Sequence, residues 1–256
     1  MKKYLISLDK DVKRRELFFS QPDVSDFEVF SAINTMNETE LSLQGIFDVE
    51  KFHQRYKRKI TKGEVGCTLS HLHIYQEIVD NETINDNDWV LICEDDALFA
   101  ANFQHNLDLV IQQQIDSDII LIGQSKVPEF NDIELEINYP CTFACLQKKI
   151  PGTHYKYSYP YKDYFAGTVA YLIKKSATKK FISQLIGKKP FWLADDFSLF
   201  HQQFKINSVV IRPLLVIENQ NLASNLQDLR GSLKNNMLRK LIKYPIKKVF
   251  AVLRNF

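Results

Sequence analysis

Trp89-Val90-Leu91-Ile92-Cys93-Glu94-Asp95-Asp96 decides how this chain is read. The apolar run Trp89 to Ile92 has the length of a buried strand, and it ends in three consecutive carboxylates. Two unit charges about 4 Å apart interact by roughly 4 kcal/mol at an effective dielectric near 20. A fold tolerates such a cluster when a cation sits among the acids or water solvates them. Hard divalent cations take carboxylate oxygens, and magnesium-like sites use one or two carboxylates together with substrate phosphates. Ligands of open α/β sheets bind beyond the carboxyl ends of strands. Position and chemistry therefore point to a metal–phosphate site, and a solvated acidic loop is the alternative.

Outward from this stretch, strands and helices alternate. Lys3 to Leu8 reads as a first strand, residues 12–20 as a helix carrying Arg14 and Arg15, and Phe27 to Phe30 as a second strand. Residues 31–48 give no clear pattern, and Asp48 is placed to cap a short helix through Tyr56. Thr61-x-x-Glu64 is a capping-box pattern, followed by Val65, Leu69, Leu72, Tyr75 and Val79 at helical spacing. After Asp96 come a helix around Phe103, Leu107, Val110 and Ile111, then a strand from Asp118 to Ile122 closed by Gly123. Gly167 precedes a strand from Thr168 to Ile173, and a helix follows over Ser176 to Ile186. Asp195-Asp196 is placed to start a short helix, and Ile206 to Ile211 is a late strand stopped by Pro213. The alternation predicts an α/β fold with a mostly parallel central sheet. Tyr155, Tyr157, Tyr159, Tyr161 and Tyr164 crowd a polar stretch that reads as a loop. A hairpin packing its rings on the body is favoured there over contact with a sugar.

At 256 residues, 45% apolar and 25% charged, the chain suits one soluble domain, or one with a small appendage. Met1-Lys2-Lys3 runs straight into strand-like residues and reads as no secretory signal, and no stretch approaches the roughly 20 apolar residues of a spanning helix. Cys67, Cys93, Cys141 and Cys145 do not form a disulfide framework, and reduced, mostly buried thiols are expected. Cys141 to Cys145 reads as strand, with no further Cys or His pair at zinc-site spacing. The net charge of +2 hides an asymmetry. Lys234, Arg239, Lys240, Lys243, Lys247, Lys248 and Arg254 lie in a tail without an acid, while residues 1–233 carry 26 basic against 31 acidic side chains. The body is thus no candidate for nucleic-acid binding. The boundaries expected are a catalytic domain over 1–233 and a basic amphipathic tail over 234–256. In the tail Leu238, Leu241, Ile242, Ile246, Val249, Phe250 and Leu253 recur at helical spacing, as in a helix lying on an anionic membrane. Packing of that stripe on the body or on a second subunit is the alternative, and Pro245 is expected to kink the helix into two pieces.

Four segments in order resemble glycosyltransferase family 25, the lipooligosaccharide galactosyltransferases of Gram-negative bacteria. They are Ile6-Ser7-Leu8 with Arg14-Arg15, then Gly63-Glu64-Val65-Gly66-Cys67-x-x-Ser70-His71, then Cys93-Glu94-Asp95-Asp96, then Gly167-Thr168-x-Ala170-Tyr171-x-Ile173 with Asp196 after it. The resemblance implies a GT-A-type nucleotide-sugar-binding fold. It also implies inverting transfer of galactose from UDP-galactose onto a terminal sugar of a lipid-linked oligosaccharide acceptor, lipooligosaccharide or lipopolysaccharide. The location would be cytoplasmic, peripheral on the inner face of the bacterial inner membrane. A divalent cation, Mn2+ or else Mg2+, would neutralise the leaving diphosphate.

On that reading Asp96 is the metal ligand, with Glu94 and Asp95 serving the donor. Ser7 and Leu8 border the uridine pocket, and Gly167 and Thr168 join the donor-binding set. Arg14, or Arg15, either reaches a phosphate or is solvated. His71 contacts the diphosphate or sugar, or else satisfies its own hydrogen bonds in the core; His73 and His201 read as structural. Asp195 and Asp196 are the candidates for the general base. One of them is expected to cap the following helix, and Asp196 is favoured as the base because it falls at the family position. Transfer of another UDP-hexose such as glucose is the nearest alternative. A metal-dependent phosphohydrolase with Asp9 near the end of the first strand, and a membrane-attached binding module without catalysis, are the more distant ones.

Overall fold

A computed structural model describes residues 1–163, 167–219, 222 and 237–255, with the helical backbone alone for 237–241. Tyr164, Gly231, Lys234 and the side chains of Leu238, Arg239, Lys240 and Leu241 lie outside what is described. The chain opens with β1 (Lys2–Ser7), α1 (Val12–Phe19), β2 (Glu28–Ser31), α2 (Glu40–Ile46) and α3 (Val49–Tyr56). Asp48 caps α3 through the Lys51 N–H at 2.9 Å. Next comes α4 (Lys62–Asp80), and Thr61 and Glu64 form the expected reciprocal capping box at its start. Then follow β3 (Trp89–Glu94), β4 (Ala97–Phe99), α5 (Phe103–Gln112), β5 (Ile119–Leu121), β6 (Gly123–Gln124), α6 (Ile133–Asn138), β7 (Lys148–Lys149) and β8 (Lys156–Ser158). The last elements are β9 (Ala170–Lys174), α7 (Lys175–Ser183), α8 (Phe197–Phe204), β10 (Ser208–Arg212), β11 (Val216–Glu218) and α9 (Met237–Leu253).

The main sheet has the order β2-β1-β3-β9-β5-β10-β8-β7, and β4-β11-β6 form a small second sheet. The main sheet is mixed. β1 is parallel to β2 and β3, and β5 to β10, but β9 and β8 run opposite to their neighbours. The expectation of a mostly parallel sheet thus needs one correction of consequence at β9. This strand sits between β3 and β5, with Ala170 opposite Cys93. Its reversal brings the start of β9, not its end, beside the carboxyl terminus of β3.

Pleating divides the strands between two cores. Tyr4, Ile6, Val90, Ile92, Tyr171 and Ile173 face the side covered by α4, α7 and α8, with Leu72, Ile78, Phe181 and Phe200. Leu5, Leu91, Cys93, Ile120 and Leu172 face the other side, with Phe18 from α1 and Phe103, Leu107 and Val110 from α5. Coverage on both faces explains why β3 is apolar at consecutive positions instead of alternate ones. Tyr155 is buried, and Tyr157 and Tyr159 pack on the second core, so the tyrosine-rich stretch is a hairpin edge resting on the body. Cys141 to Cys145 forms turns, not strand, because Pro140 and the exposed Phe143 break the alternation.

The tail is helical, and it docks on the body by its polar side and not by the apolar stripe, which was the alternative to a membrane-facing stripe. Ala251 is fully buried, the Tyr244 hydroxyl donates to Glu136 at 3.2 Å, and Lys247 donates to the Asn138 carbonyl at 2.8 Å. Lys248 pairs with Glu136, and Arg254 with Asp163 at 2.7 Å. Ile242, Ile246, Val249, Phe250 and Leu253 remain exposed, so the apolar stripe points away from the body. The helix runs through Pro245 as one element over Met237–Leu253 rather than breaking into two pieces. No helix among the described residues is long and apolar enough to cross a membrane.

Candidate active site

A cavity of about 340 Å³ opens at the carboxyl ends of β1 and β3. Ser7, Leu8, Arg14, His71, Glu94, Asp95, Asp96, Gly167, Thr168 and Asp195 all line it, so the fold gathers residues drawn from five separate stretches of chain. Asp196 is the one candidate that does not.

The carboxylates are held in two groups. Arg14, one turn into α1, donates Nε to Asp95 at 2.6 Å and Nη2 to Asp96 at 2.8 Å. The Ser7 hydroxyl donates to the second Asp95 oxygen at 2.6 Å. Arg14 is therefore neither solvated nor free for a phosphate; it answers part of the repulsion inside the acid triplet. Arg15 braces the turn by donating to the Leu8 and Asp9 carbonyls. Glu94 turns the other way. It accepts from the Thr168 hydroxyl, and its Oε1 lies 3.6 Å from His71 Nε2. Burial pushes Glu94 up, but His71, Thr168 and Arg14 outweigh it and hold the group below its ordinary value.

Asp96 is the electrostatic exception. Its Oδ2 meets Arg14, but its Oδ1 is buried with no hydrogen-bond partner. Burial first, then the charges of Glu94, Glu218 and Asp95, push it up to about 7 despite Arg14. An orphaned carboxylate oxygen facing three further acids is what a divalent cation would relieve, so the donor set fits one. The residues that would hold it are Asp96 and Glu218, both on the cavity wall, and a cation carried mostly by substrate phosphates needs no fuller protein cage. Sequence reading missed Glu218. Its signal was present, since Val216-Ile217-Glu218 is an apolar run ending in an acid, the same signature as Ile92-Cys93-Glu94.

The second acid pair separates by role. Asp196 caps α8 by accepting from the Leu199 N–H at 3.0 Å. The same carboxylate accepts from Arg55 Nε at 2.7 Å and from the Tyr56 hydroxyl. Asp195 faces the cavity and accepts from the Gly167 N–H at 3.0 Å. Gly167 has φ +77°, and a Cβ there would stand 1.9 Å from the Ser125 hydroxyl, so both its conformation and its space demand glycine. Gly66 serves a similar close approach. A Cβ on it would lie 2.6 Å from the Ile33 carbonyl, which lets the segment after β2 press against α4 and wall the cavity.

His71 is buried on α4, and its Nδ1 lies 2.7 Å from the Tyr171 hydroxyl, which in turn lies 2.7 Å from that of Tyr75. It is both a satisfied core histidine and a cavity residue, because Nε2 points toward Glu94. Asp9 is exposed and accepts from Ser31 at 2.8 Å, away from the cavity wall, which leaves the phosphohydrolase reading without its nucleophile.

Residues 1–199 match the family description "Glycosyltransferase family 25 (LPS biosynthesis protein)". The chain is 30% identical over 152 residues to procollagen galactosyltransferase 1 of Danio rerio, covering 57% of this chain and 22% of that protein. It is 25% identical over 198 residues to procollagen galactosyltransferase 2 of Homo sapiens, covering 73% and 28%. It is also 29% identical over 143 residues to the inactive glycosyltransferase 25 family member 3 of Mus musculus, covering 52% and 23%. The chain thus spans about a quarter of the length of these relatives. The match over residues 1–199 takes in the ends of β1 and β3, α4, Gly167 and Asp195 together, and on it the chain belongs to glycosyltransferase family 25.

Proposed function

We propose that this chain is an inverting, metal-dependent glycosyltransferase that moves a hexose from a UDP-sugar, galactose first among the candidates, to a sugar acceptor. The observation that carries the reading is the buried, unpartnered Asp96 Oδ1 at the carboxyl end of β3, surrounded by further acids in a family 25 chain. In GT-A terms, Ser7 and Leu8 border the nucleotide and Glu94 and Thr168 face the donor sugar. A manganese or magnesium ion at Asp96 would neutralise charge on the leaving diphosphate.

The base is assigned to Asp195. Asp196 is the cap, and its two further partners leave it turned from the cavity, which reverses the division favoured from sequence. Asp195 takes the proton of the acceptor hydroxyl as the acceptor oxygen bonds to the anomeric carbon and the bond to UDP breaks. Trp192, next in the chain to the cavity residues Leu193 to Asp195, lines a second concavity that we assign to the acceptor. This cleft of about 960 Å³ is also lined by Lys51, Lys59, Lys188 and Lys189. The exposed stripe of α9 supports attachment to an anionic membrane bearing a lipid-linked acceptor, on the cytoplasmic face of a bacterial inner membrane.

Calorimetric titration of UDP tests the nucleotide reading. Binding that appears with Mn2+ and vanishes in EDTA is expected. A chain that ignores UDP with Mn2+ present is not a UDP-sugar transferase.

A further inference from the structure

Cys67, His71 and Glu94 offer a sulfur, an imidazole nitrogen and a carboxylate oxygen that all lie within 4.8 Å of one another. Cys67 and His71 are four residues apart on α4 and so share one face of the helix. Glu94 comes to them from the end of β3. The His71 Nε2 to Glu94 Oε1 distance is already 3.6 Å. Ligands around one zinc ion at about 2.0–2.3 Å stand roughly 3.3–3.8 Å apart, so the remaining closure is a side-chain adjustment at half-buried Cys67.

We propose that these three residues bind a thiophilic divalent cation of the zinc class, at a position separate from Asp96. The donor set selects the metal. A thiolate and an imidazole favour zinc or cobalt, whereas the carboxylate oxygens about Asp96 favour magnesium or manganese. The surroundings fit as well. With its proton on Nδ1, His71 donates to the Tyr171 hydroxyl, which donates to Tyr75, and Nε2 keeps its lone pair for the metal. Three protein ligands leave a fourth position, which opens into the cavity for water or a ligand. On binding, the Cys67 thiol becomes a thiolate and its proton passes to solvent. The binding does not depend on the transferase reading.

Cobalt titration of the full-length chain tests the proposal. The expected result is a thiolate-to-cobalt charge-transfer band in the near ultraviolet that saturates at one equivalent. The band persists in Cys145→Ala and Asp96→Asn and is lost in Cys67→Ala. Absence of the band in the wild-type protein, or its survival in Cys67→Ala, overturns the site, and its loss in Asp96→Asn overturns the separation. A second measurement needs no Cys67 variant to fold. Zn2+ should slow alkylation of Cys67 by at least about tenfold in the wild-type protein and have little effect in Glu94→Gln. Equal labelling of wild-type Cys67 with and without Zn2+ overturns the proposal. UDP binding enters none of these outcomes, so the two readings fail independently.

Discussion

Asp96 governs how the site responds to pH. Its value in the folded chain is raised from 3.8 to about 7, chiefly by burial and then by its acidic neighbours. The folded state therefore binds the proton more tightly than the unfolded one. The associated stability is fully present below the unfolded value and is lost as pH rises through about 7. The metal-free protein should thus lose Tm between about pH 4 and about pH 7, and the increment from Mn2+ should grow over the same interval as the cation replaces the proton. A manganese increment that is flat across this range in thermal melts would contradict the role given to Asp96. Asp195→Asn should lower kcat by about 10²- to 10⁴-fold while leaving UDP affinity near its wild-type value. Asp196→Ala should instead act on folding, by about 2–4 kcal/mol in urea denaturation, because it removes a helix cap and strands Arg55 and Tyr56. If Asp196→Ala is stably folded but inactive, the two roles are exchanged. Sequence could find the acid pair but not divide it, because both aspartates suit a cap and the decision lies with Arg55 and Tyr56, about 140 residues away in the chain. Arg14 was misplaced for a related reason. An arginine on a short helix looks solvated until the register of β1 against β3 sets it over Asp95 and Asp96.

At the scale of elements, local chemistry was the most legible. The capping box at Thr61, the cap at Asp48 and the strand ending in Glu94 all rest on short-range patterns, and all three stand. The direction of β9 was not legible, since Ala170 to Lys174 is apolar enough to lie either way in a covered sheet. Helix α9 shows what periodicity leaves open. It identifies the apolar stripe but not which face docks, and here Tyr244, Lys247 and Lys248 seat the polar side on α6 and the turn after it. That seating makes deletion of the tail a poor test of membrane attachment, because deletion would also strip partners from Glu136. Substitution on the exposed stripe separates the effects. Ile246→Glu and Phe250→Glu should each weaken flotation with anionic liposomes by roughly 10- to 100-fold, from the loss of about 1.5–3 kcal/mol of burial, and leave Tm unchanged. Flotation at low salt that is indifferent to both substitutions would count against the membrane reading.

Across the whole molecule, one site is assembled from the ends of β1, β3 and β11, the start of β9 and one face of α4. Each contributes a residue whose chemistry is ordinary alone. Their convergence at the carboxyl end of the sheet puts the acid triplet on the wall of one cavity, where we propose that a cation and a phosphate bind. The strand-end position of Glu94, Asp95 and Asp96 was readable because the apolar run from Trp89 stops at the first acid. Glu218 carried the same signature and was overlooked, whereas the approach of Cys67 to Glu94 was not readable, because it depends on how α4 packs against β3. The central claim is that Asp96 holds a divalent cation against the diphosphate of a UDP-sugar. The most direct measurement is UDP release from UDP-galactose by the purified chain, with and without a sugar acceptor, in Mn2+ and in EDTA, for wild type and Asp96→Asn. The account predicts acceptor-stimulated release in Mn2+, and a fall of at least about 10²-fold both in EDTA and in the variant. Undiminished release in EDTA, or from Asp96→Asn in Mn2+, would contradict it.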